Sequence, residues 1–239
     1  MDSISLNKYI SDTGICSRRE ADKFIETGRV LLNGVVAIKG NRVEEGDEVL
    51  LDGKPLRKNP KRIYIAFHKP RGLTCTTDLR DKTNVISYIN HPQRIFPIGR
   101  LDKDSEGLIF LTNDGDIVNK ILRSRNGHEK EYIVVVDKPL APDFVRRMSN
   151  GIPILGTTTK KCKVEQKGRS IFKIVLTQGL NRQIRRMCEY LGYDVVKLKR
   201  TRIMSIKLDD LAPGKWRYFS EAEMQEIETL LEESTNSYE

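Results

Sequence analysis

The chain lacks any run of about 18 apolar residues, so no part of it suits a membrane-spanning helix. Its opening residues, Met1-Asp2-Ser3-Ile4-Ser5, do not have the charged-then-apolar layout of a signal peptide. Cysteine is scarce too. Cys16, Cys75, Cys162 and Cys188 stand far apart with no C-x-x-C pair, which argues against a zinc knuckle or a disulfide framework and for buried or half-buried thiols in a reducing compartment. The three histidines, His68, His91 and His128, show no metal-ligand spacing and read as surface or loop residues. These absences predict a cytoplasmic protein with no membrane partner and no metal.

Acid is unevenly distributed. Residues 1–62 carry 12 Lys and Arg against 10 Asp and Glu, residues 63–218 carry 30 against 16, and residues 219–239 carry none against 7. The net charge of +9 therefore comes from the middle segment. A cationic excess of this kind points to a polyanionic partner. The 239 residues can form one domain or two, and the charge and sequence pattern favour two.

The first segment contains clear start and stop signals. Leu6, Tyr9 and Ile10 suit the buried face of a short helix from Leu6 to about Thr13. Ser17-Arg18-Arg19-Glu20 fits a capping box, opening a second helix that runs to about Thr27 and can end at Gly28. Val30-Leu31-Leu32, Asn33-Gly34 and Val35-Val36-Ala37 predict a hairpin with a primed turn. The polar, proline-containing stretch Asp52–Arg62 then reads as a linker, which a last small hairpin can lead into. The boundaries expected are residues 1–60 for an N-terminal module with its linker and residues 61–239 for a second domain.

In the second domain, strands are predicted at Ile63–Phe67, Leu108–Thr112, Tyr132–Val136 and Ile171–Thr177. Helices are predicted at Asp116–Arg123, Pro142–Ser149 and Asn181–Leu191. Strands outnumber helices and do not alternate regularly with them, which favours an α+β domain on a mostly antiparallel sheet over a doubly wound fold. Ser220-Glu221-Ala222-Glu223 can cap an acidic C-terminal helix in which Met224, Ile227 and Leu231 share a face.

Three places in this domain carry chemical potential. Asp102 lies in a loop directly before an apolar strand, flanked by Arg100 and Lys103, and cationic neighbours favour the charged form that a carboxylate nucleophile needs. Tyr132, in Lys130-Glu131-Tyr132 at a strand start, can offer its ring to a ligand or simply belong to the core. Arg182, Arg185 and Arg186, in Asn181-Arg182-Gln183-Ile184-Arg185-Arg186-Met187, are spaced to share a helical face, where phosphates and the Asp102 carboxylate are natural counter-ions. Asp104 and Glu106 read as loop-capping or exposed.

Two resemblances draw these features together. Leu6-Asn7-Lys8-Tyr9-Ile10, Cys16-Ser17-Arg18-Arg19-Glu20-Ala21 and Gly28-Arg29-Val30-Leu31-Leu32-Asn33-Gly34 resemble the S4 RNA-binding domain, which implies phosphate contacts by Arg18, Arg19, Lys23 and Arg29. From there to about residue 219 the chain resembles the ribosomal pseudouridine synthases. Lys69-Pro70-Arg71-Gly72, Gly99-Arg100-Leu101-Asp102, Lys130-Glu131-Tyr132 and the Asn181–Met187 run occur in the family's order. Gln178-Gly179-Leu180 and Gly151-Ile152-Pro153-Ile154-Leu155-Gly156-Thr157 follow one branch of it.

The resemblance implies isomerisation of a uridine within RNA, after the base is flipped from its stack. Asp102 would be the catalytic aspartate, Tyr132 the active-site tyrosine and Arg185 the arginine paired with the aspartate. Leu198 would line the base pocket together with Arg100, while Arg182 and Arg186 would bind RNA. No cofactor is implied. The implied partners are 23S ribosomal RNA or an assembling ribosomal particle, with a transfer RNA anticodon loop as a candidate second substrate, and a monomer suits such an enzyme. Two rival readings stay open: a non-catalytic S4-type ribosome-associated protein, and a magnesium-dependent nuclease built on Asp102, Asp104 and Glu106.

Overall fold

The computed structural model describes residues 3–57, 61–122 and 127–236. The chain divides into two compact units. One comprises Met1–Ile63 with the short segments His91–Ile95 and Thr112–Gly115, and the other comprises Tyr64–Asn90, Phe96–Leu111 and Asp116–Glu239.

In the first unit, β1 (Ile4–Ser5) precedes α1 (Leu6–Asp12) and α2 (Arg18–Glu26). The capping box opens α2 as expected. Ser17 Oγ accepts from the Glu20 amide at 3.2 Å, and the Ser17 amide donates to Glu20 Oε2 at 2.7 Å. That backbone bond to Ser17 is the main reason the Glu20 pKa falls below the usual carboxylate range. The short strands β2 (Val30–Leu32), β3 (Val35–Val36), β4 (Arg42–Val43), β5 (Val49–Leu51) and β6 (Lys54–Pro55) follow. Between β2 and β3, Asn33 and Gly34 have φ of 51° and 79°, the left-handed pair that a type I′ hairpin turn requires. Leu6, Ile10, Ala21, Ile25, Val30, Val43, Val49 and Leu51 form this unit's core. The expected linker begins as a hairpin, because Asp52 and Gly53 turn β5 into β6, and residues 58–60 of it lie outside the described residues.

The second unit is built on β7 (Tyr64–Lys69), α3 (Val85–Ile89), β8 (Phe96–Ile98), β9 (Glu106–Thr112), α4 (Gly115–Leu122), β10 (Lys130–Val136), α5 (Phe144–Ser149), β11 (Pro153–Ile154), β12 (Thr157–Thr158), β13 (Lys163–Gly168), β14 (Ile171–Leu176), α6 (Gln183–Tyr190), β15 (Val195–Ile203), β16 (Ile206–Lys207), β17 (Trp216–Tyr218) and α7 (Glu221–Asn236). Seven of the strands form one sheet in the order β13-β14-β10-β15-β9-β7-β17, with β16 on β15 and β8 on β9. Antiparallel ladders join β13 to β14, β14 to β10 and β10 to β15, whereas β15 runs parallel to β9. The expectation of an α+β domain on a mostly antiparallel mixed sheet therefore holds.

The core of this unit follows from the continuous apolar run Leu108-Ile109-Phe110-Leu111, which β9 buries on both faces as a central strand can. Leu108 and Phe110 pack with Ile117 and Ile121 of α4, Ile203 of β15, and Ile227 and Leu231 of α7. Truncating a buried phenylalanine such as Phe110 costs about 3–5 kcal/mol. The helix α7 opens with the anticipated cap, the Ser220 amide donating to Glu223 Oε2 at 2.8 Å and Ser220 Oγ accepting from the Glu223 amide at 3.2 Å.

Two histidines depart from expectation. His68 and His128 are buried rather than at the surface. His68 sits inside β7, flanked by β9 and β17, with Nδ1 2.6 Å from the Leu211 carbonyl oxygen. Several strands also have no signature in the pattern of apolar residues, above all the nine-residue β15.

Candidate active site

A cleft of about 570 Å³ opens in the second unit beside β10 and β15, and Asp102, Tyr132, Arg182, Arg185, Leu198 and Arg100 all line it. Arg186 is absent from its lining. That side chain folds back on its own helix, with Nε donating to the Asn181 carbonyl at 3.1 Å and Nη2 to Asn181 Oδ1 at 3.3 Å. The expected three-arginine face thus resolves into two arginines that reach the cleft and one that does not.

Asp102 belongs to the loop between β8 and β9, which is tied down mainly through backbone carbonyls. Lys69, fully buried at the end of β7, donates from Nζ to the carbonyls of Pro70 and Leu73 at 2.9 Å each and of Lys103 at 3.5 Å. The Gly72 amide reaches the Lys103 carbonyl at 2.7 Å, and Arg71 Nε reaches that of Asp104 at 3.1 Å. Burial pushes the Lys69 amine below its usual pKa, the cost of placing a cation where it can gather carbonyls. The Lys69-Pro70-Arg71-Gly72 signature is therefore the clamp that fixes the aspartate loop.

The partners of Asp102 come from α6 and not from its chain neighbours. Arg182 Nη1 lies 3.4 Å and Arg185 Nε 3.9 Å from Asp102 Oδ2, while Arg100 and Lys103 are exposed. Asp104, expected to be loop-capping or exposed, shares the same two arginines, at 3.4 Å from Arg182 Nη1 and 3.1 Å from Arg185 Nη2. Burial raises the Asp104 pKa, but the Arg182 hydrogen bond and the Arg185 charge outweigh it and hold the carboxyl below its usual value. Arg182 occupies the N-cap of α6 in the left-handed region, φ 49° and ψ 35°, a strained conformation for a residue with a side chain.

Arg185 is the more buried of the pair, its side chain 13% exposed. It is also anchored by Nη1 to the Val195 carbonyl at 3.2 Å and by Nη2 to Ser105 Oγ at 3.1 Å. Its Nε is buried without a hydrogen-bond partner and faces Asp102 from beyond hydrogen-bond length. Polar contacts that are long in an unliganded cleft commonly tighten when a ligand binds. Because both carboxylates of the loop face guanidinium groups, the donor set suits an anionic substrate better than a divalent cation. Among the described residues no three His, Cys, Asp or Glu side chains converge on a common point.

The floor of the cleft is a row from two paired strands. Tyr132 of β10 pairs with Arg200 of β15, next to a register shift between Glu131 and Tyr132. Bulges of this kind re-aim side chains beside active sites. Leu198, two residues before Arg200, shares its face and is buried. Lys130, two residues before Tyr132, lines the same cleft. Neither Arg200 nor Lys130 was singled out from sequence, although the period-two spacings Lys130/Tyr132 and Leu198/Arg200 place each on the face of an expected residue.

In the first unit, Arg18, Arg19 and Lys23 of α2 are exposed. Arg29 is committed elsewhere: its fork meets Asp52, Nε to Oδ1 at 2.9 Å and Nη2 to Oδ2 at 2.5 Å, and its Cζ lies 4.4 Å from the Phe24 ring centroid. The Asp52 contact lowers the pKa of that carboxyl and raises that of Arg29.

Family models match both halves of the chain: an S4 domain over residues 5–49 and an RNA pseudouridylate synthase over residues 63–190. The second match covers more than half of the sequence, and the chain belongs to the RNA pseudouridylate synthase family. The dual-specificity RNA pseudouridine synthase RluF of Escherichia coli (strain K12) is 54% identical over 236 residues, spanning 98% of this chain and 81% of RluF. Ribosomal large subunit pseudouridine synthase B of Bacillus subtilis (strain 168) is 34% identical over 243 residues, spanning 98% of this chain and 99% of its own. A crystal structure of a pseudouridylate synthase covers 94% of this chain and all of its own at a TM-score of 0.70 and 28% identity.

Proposed function

We propose that this enzyme converts a uridine of 23S ribosomal RNA into pseudouridine and accepts a transfer RNA anticodon loop as a second substrate. The relatives named for the ribosomal large subunit and for dual specificity support this choice of substrates. The reading places the enzyme in the cytoplasm, acting as a monomer on RNA or on an assembling ribosomal particle. Residues 1–60 bind structured RNA through Arg18, Arg19 and Lys23, whose charges are exposed, and residues 61–239 carry the reaction.

One observation carries the catalytic assignment: Asp102 stands at the cleft within 3.4 Å of Arg182 and 3.9 Å of Arg185, with Tyr132 in the same lining. The flipped base stacks on the Tyr132 ring, with Leu198 and Arg100 bounding the pocket. Asp102 acts on the nucleotide as the catalytic carboxylate, and Arg185 holds its orientation. The N1–C1′ bond breaks, a C5–C1′ bond forms, C5 loses a proton and N1 gains one. The reaction is an isomerisation that consumes no second reactant.

The test is tritium release from RNA labelled at uracil C5. Asp102→Asn preserves size and removes charge, so turnover should vanish while RNA affinity stays within about threefold of wild type, the pattern of a group acting in the transition state. Equal losses of affinity and turnover would overturn the role.

A further inference from the structure

Arg200 is 4% exposed and forms no ion pair among the described residues. Its Nε donates to the Leu108 carbonyl at 2.6 Å and its Nη1 reaches the Arg100 carbonyl at 3.5 Å, which fixes the guanidinium plane from behind. Its Nη2 is buried with no hydrogen-bond partner, although Arg200 lines the cleft. The Cζ lies 5.9 Å from the Tyr132 ring centroid. Lys130 lines the same cleft, and it too forms no ion pair among the described residues. Burial first, and the Arg200 charge second, push the Lys130 amine down to about 8.

Two neighbouring cations, one with an unused buried donor, are costly to keep out of water unless an anion arrives to meet them. Asp102 does not serve, because its ion pairs are with Arg182 and Arg185. A phosphate fits the place poorly. Leu176, Leu198 and Ile203 line the same cleft with apolar surface that suits a flat ring better than a strongly hydrated phosphodiester anion.

We propose that Arg200, with Lys130 beside it, holds the negative charge that the uracil ring carries once it has left the sugar. This inference rests on the isomerase reading above. When N1–C1′ breaks and its electron pair stays on N1, the charge spreads over N1, O2 and O4. The Arg200 Nη2–H then donates to a ring carbonyl oxygen, and the Lys130 ammonium adds a second positive charge. Donors placed in advance where charge develops are worth most in a site that excludes water. The ring turns while its oxygens stay near these cations, C5 bonds to C1′, C5 loses its proton and N1 gains one, and the anion is discharged.

The test compares leaving groups. 5-Fluorouracil is the more stable anion and needs less help to depart. Full-length wild type, Arg200→Met, Arg200→Lys and Lys130→Met are assayed in single turnover on one RNA containing either uridine or 5-fluorouridine at the target, following disappearance of the starting nucleoside by nuclease digestion and chromatography with mass spectrometry, because C5 of 5-fluorouridine bears fluorine and has no proton to lose once it has bonded to C1′. On uridine, Arg200→Met should lose about 100-fold or more in single-turnover rate, as removal of one oxyanion donor does, with RNA affinity held within about threefold. On 5-fluorouridine the loss should be at least about tenfold smaller. Should Arg200→Met fail to fold, Arg200→Lys, which lacks the fork, and Lys130→Met, at a half-buried position, must show the same dependence on leaving group.

Equal losses on the two substrates, variants within threefold of wild type, or losses of affinity matching those of turnover would each overturn the proposal. The last result would make Arg200 a phosphate contact. A wild-type enzyme that leaves uridine unconverted would instead overturn the isomerase reading itself.

Discussion

Arg185 lies nearer to Asp104 than to the aspartate it was expected to serve, with Nη2 3.1 Å from Asp104 Oδ2. Asp104 thus draws one end of the fork while Nε, at the other end, faces Asp102 at 3.9 Å. Held at both ends in this way, the guanidinium has its angle to the Asp102 carboxylate set by the two contacts together.

This double hold has a measurable consequence. Arg185→Lys keeps the charge and loses the fork, and a displacement of about 1 Å at a reacting group costs on the order of 100-fold. Turnover should fall by roughly that factor, while RNA affinity changes little. Asp104→Asn should lower kcat by about tenfold, less than Asp102→Asn, because Arg182 and Arg185 remain near Asp102. In the double variant the losses should be less than additive, since both act through one guanidinium. Additive losses, measured by single-turnover kinetics, would show that Asp104 acts independently of Arg185.

Gly107 offers a test of how the site is assembled. It pairs with Arg200 across the parallel ladder, and a Cβ at this position would lie 2.3 Å from the Arg200 carbonyl oxygen and 2.5 Å from its amide nitrogen. Its φ of +119° is also one that side chains resist. Gly107→Ala should therefore cost about 3 kcal/mol or more by denaturant unfolding, since strain and backbone overlap add. A change below about 0.5 kcal/mol would mean that β9 and β15 separate easily, and that their close approach does not hold Arg200 in place.

Where local chemistry determines structure, the sequence was readable. The Ser17/Glu20 capping box, the Asn33-Gly34 turn and the Leu108–Leu111 core strand all have their physical causes within a few residues. The Asp102 loop was conspicuous too, although among the described residues the cations flanking it in sequence form no ion pair with it, and its partners enter at the start of α6, about 80 residues later. The strand β15 was hidden because Lys197, Lys199, Arg200 and Arg202 interrupt its apolar pattern. Local rules fail there because the strand builds the cleft, where function overrides the preference for an apolar face. The polar β13 was hidden for a different reason: it is an edge strand, held in part by a 2.9 Å ion pair between Glu165 and Lys173, and edges tolerate charge.

The last prediction concerns the N-terminal unit, where ion pairing separates exposed cations that look alike in sequence. Arg18, Arg19 and Lys23 are exposed, whereas Arg29 spends its fork on Asp52. Each phosphate contact releases condensed counter-ions, so its loss should reduce the slope of log affinity against log salt by about 0.7–0.9. Replacing Arg18, Arg19 and Lys23 together by Gln should lower that slope by roughly 2–3, weaken RNA binding and leave kcat at saturating RNA near wild type. Arg29→Gln should leave the slope unchanged, because that guanidinium already has its anion. If Arg29→Gln lowers the slope while the triple variant does not, the RNA approaches this unit from the Arg29 side instead of along the start of α2.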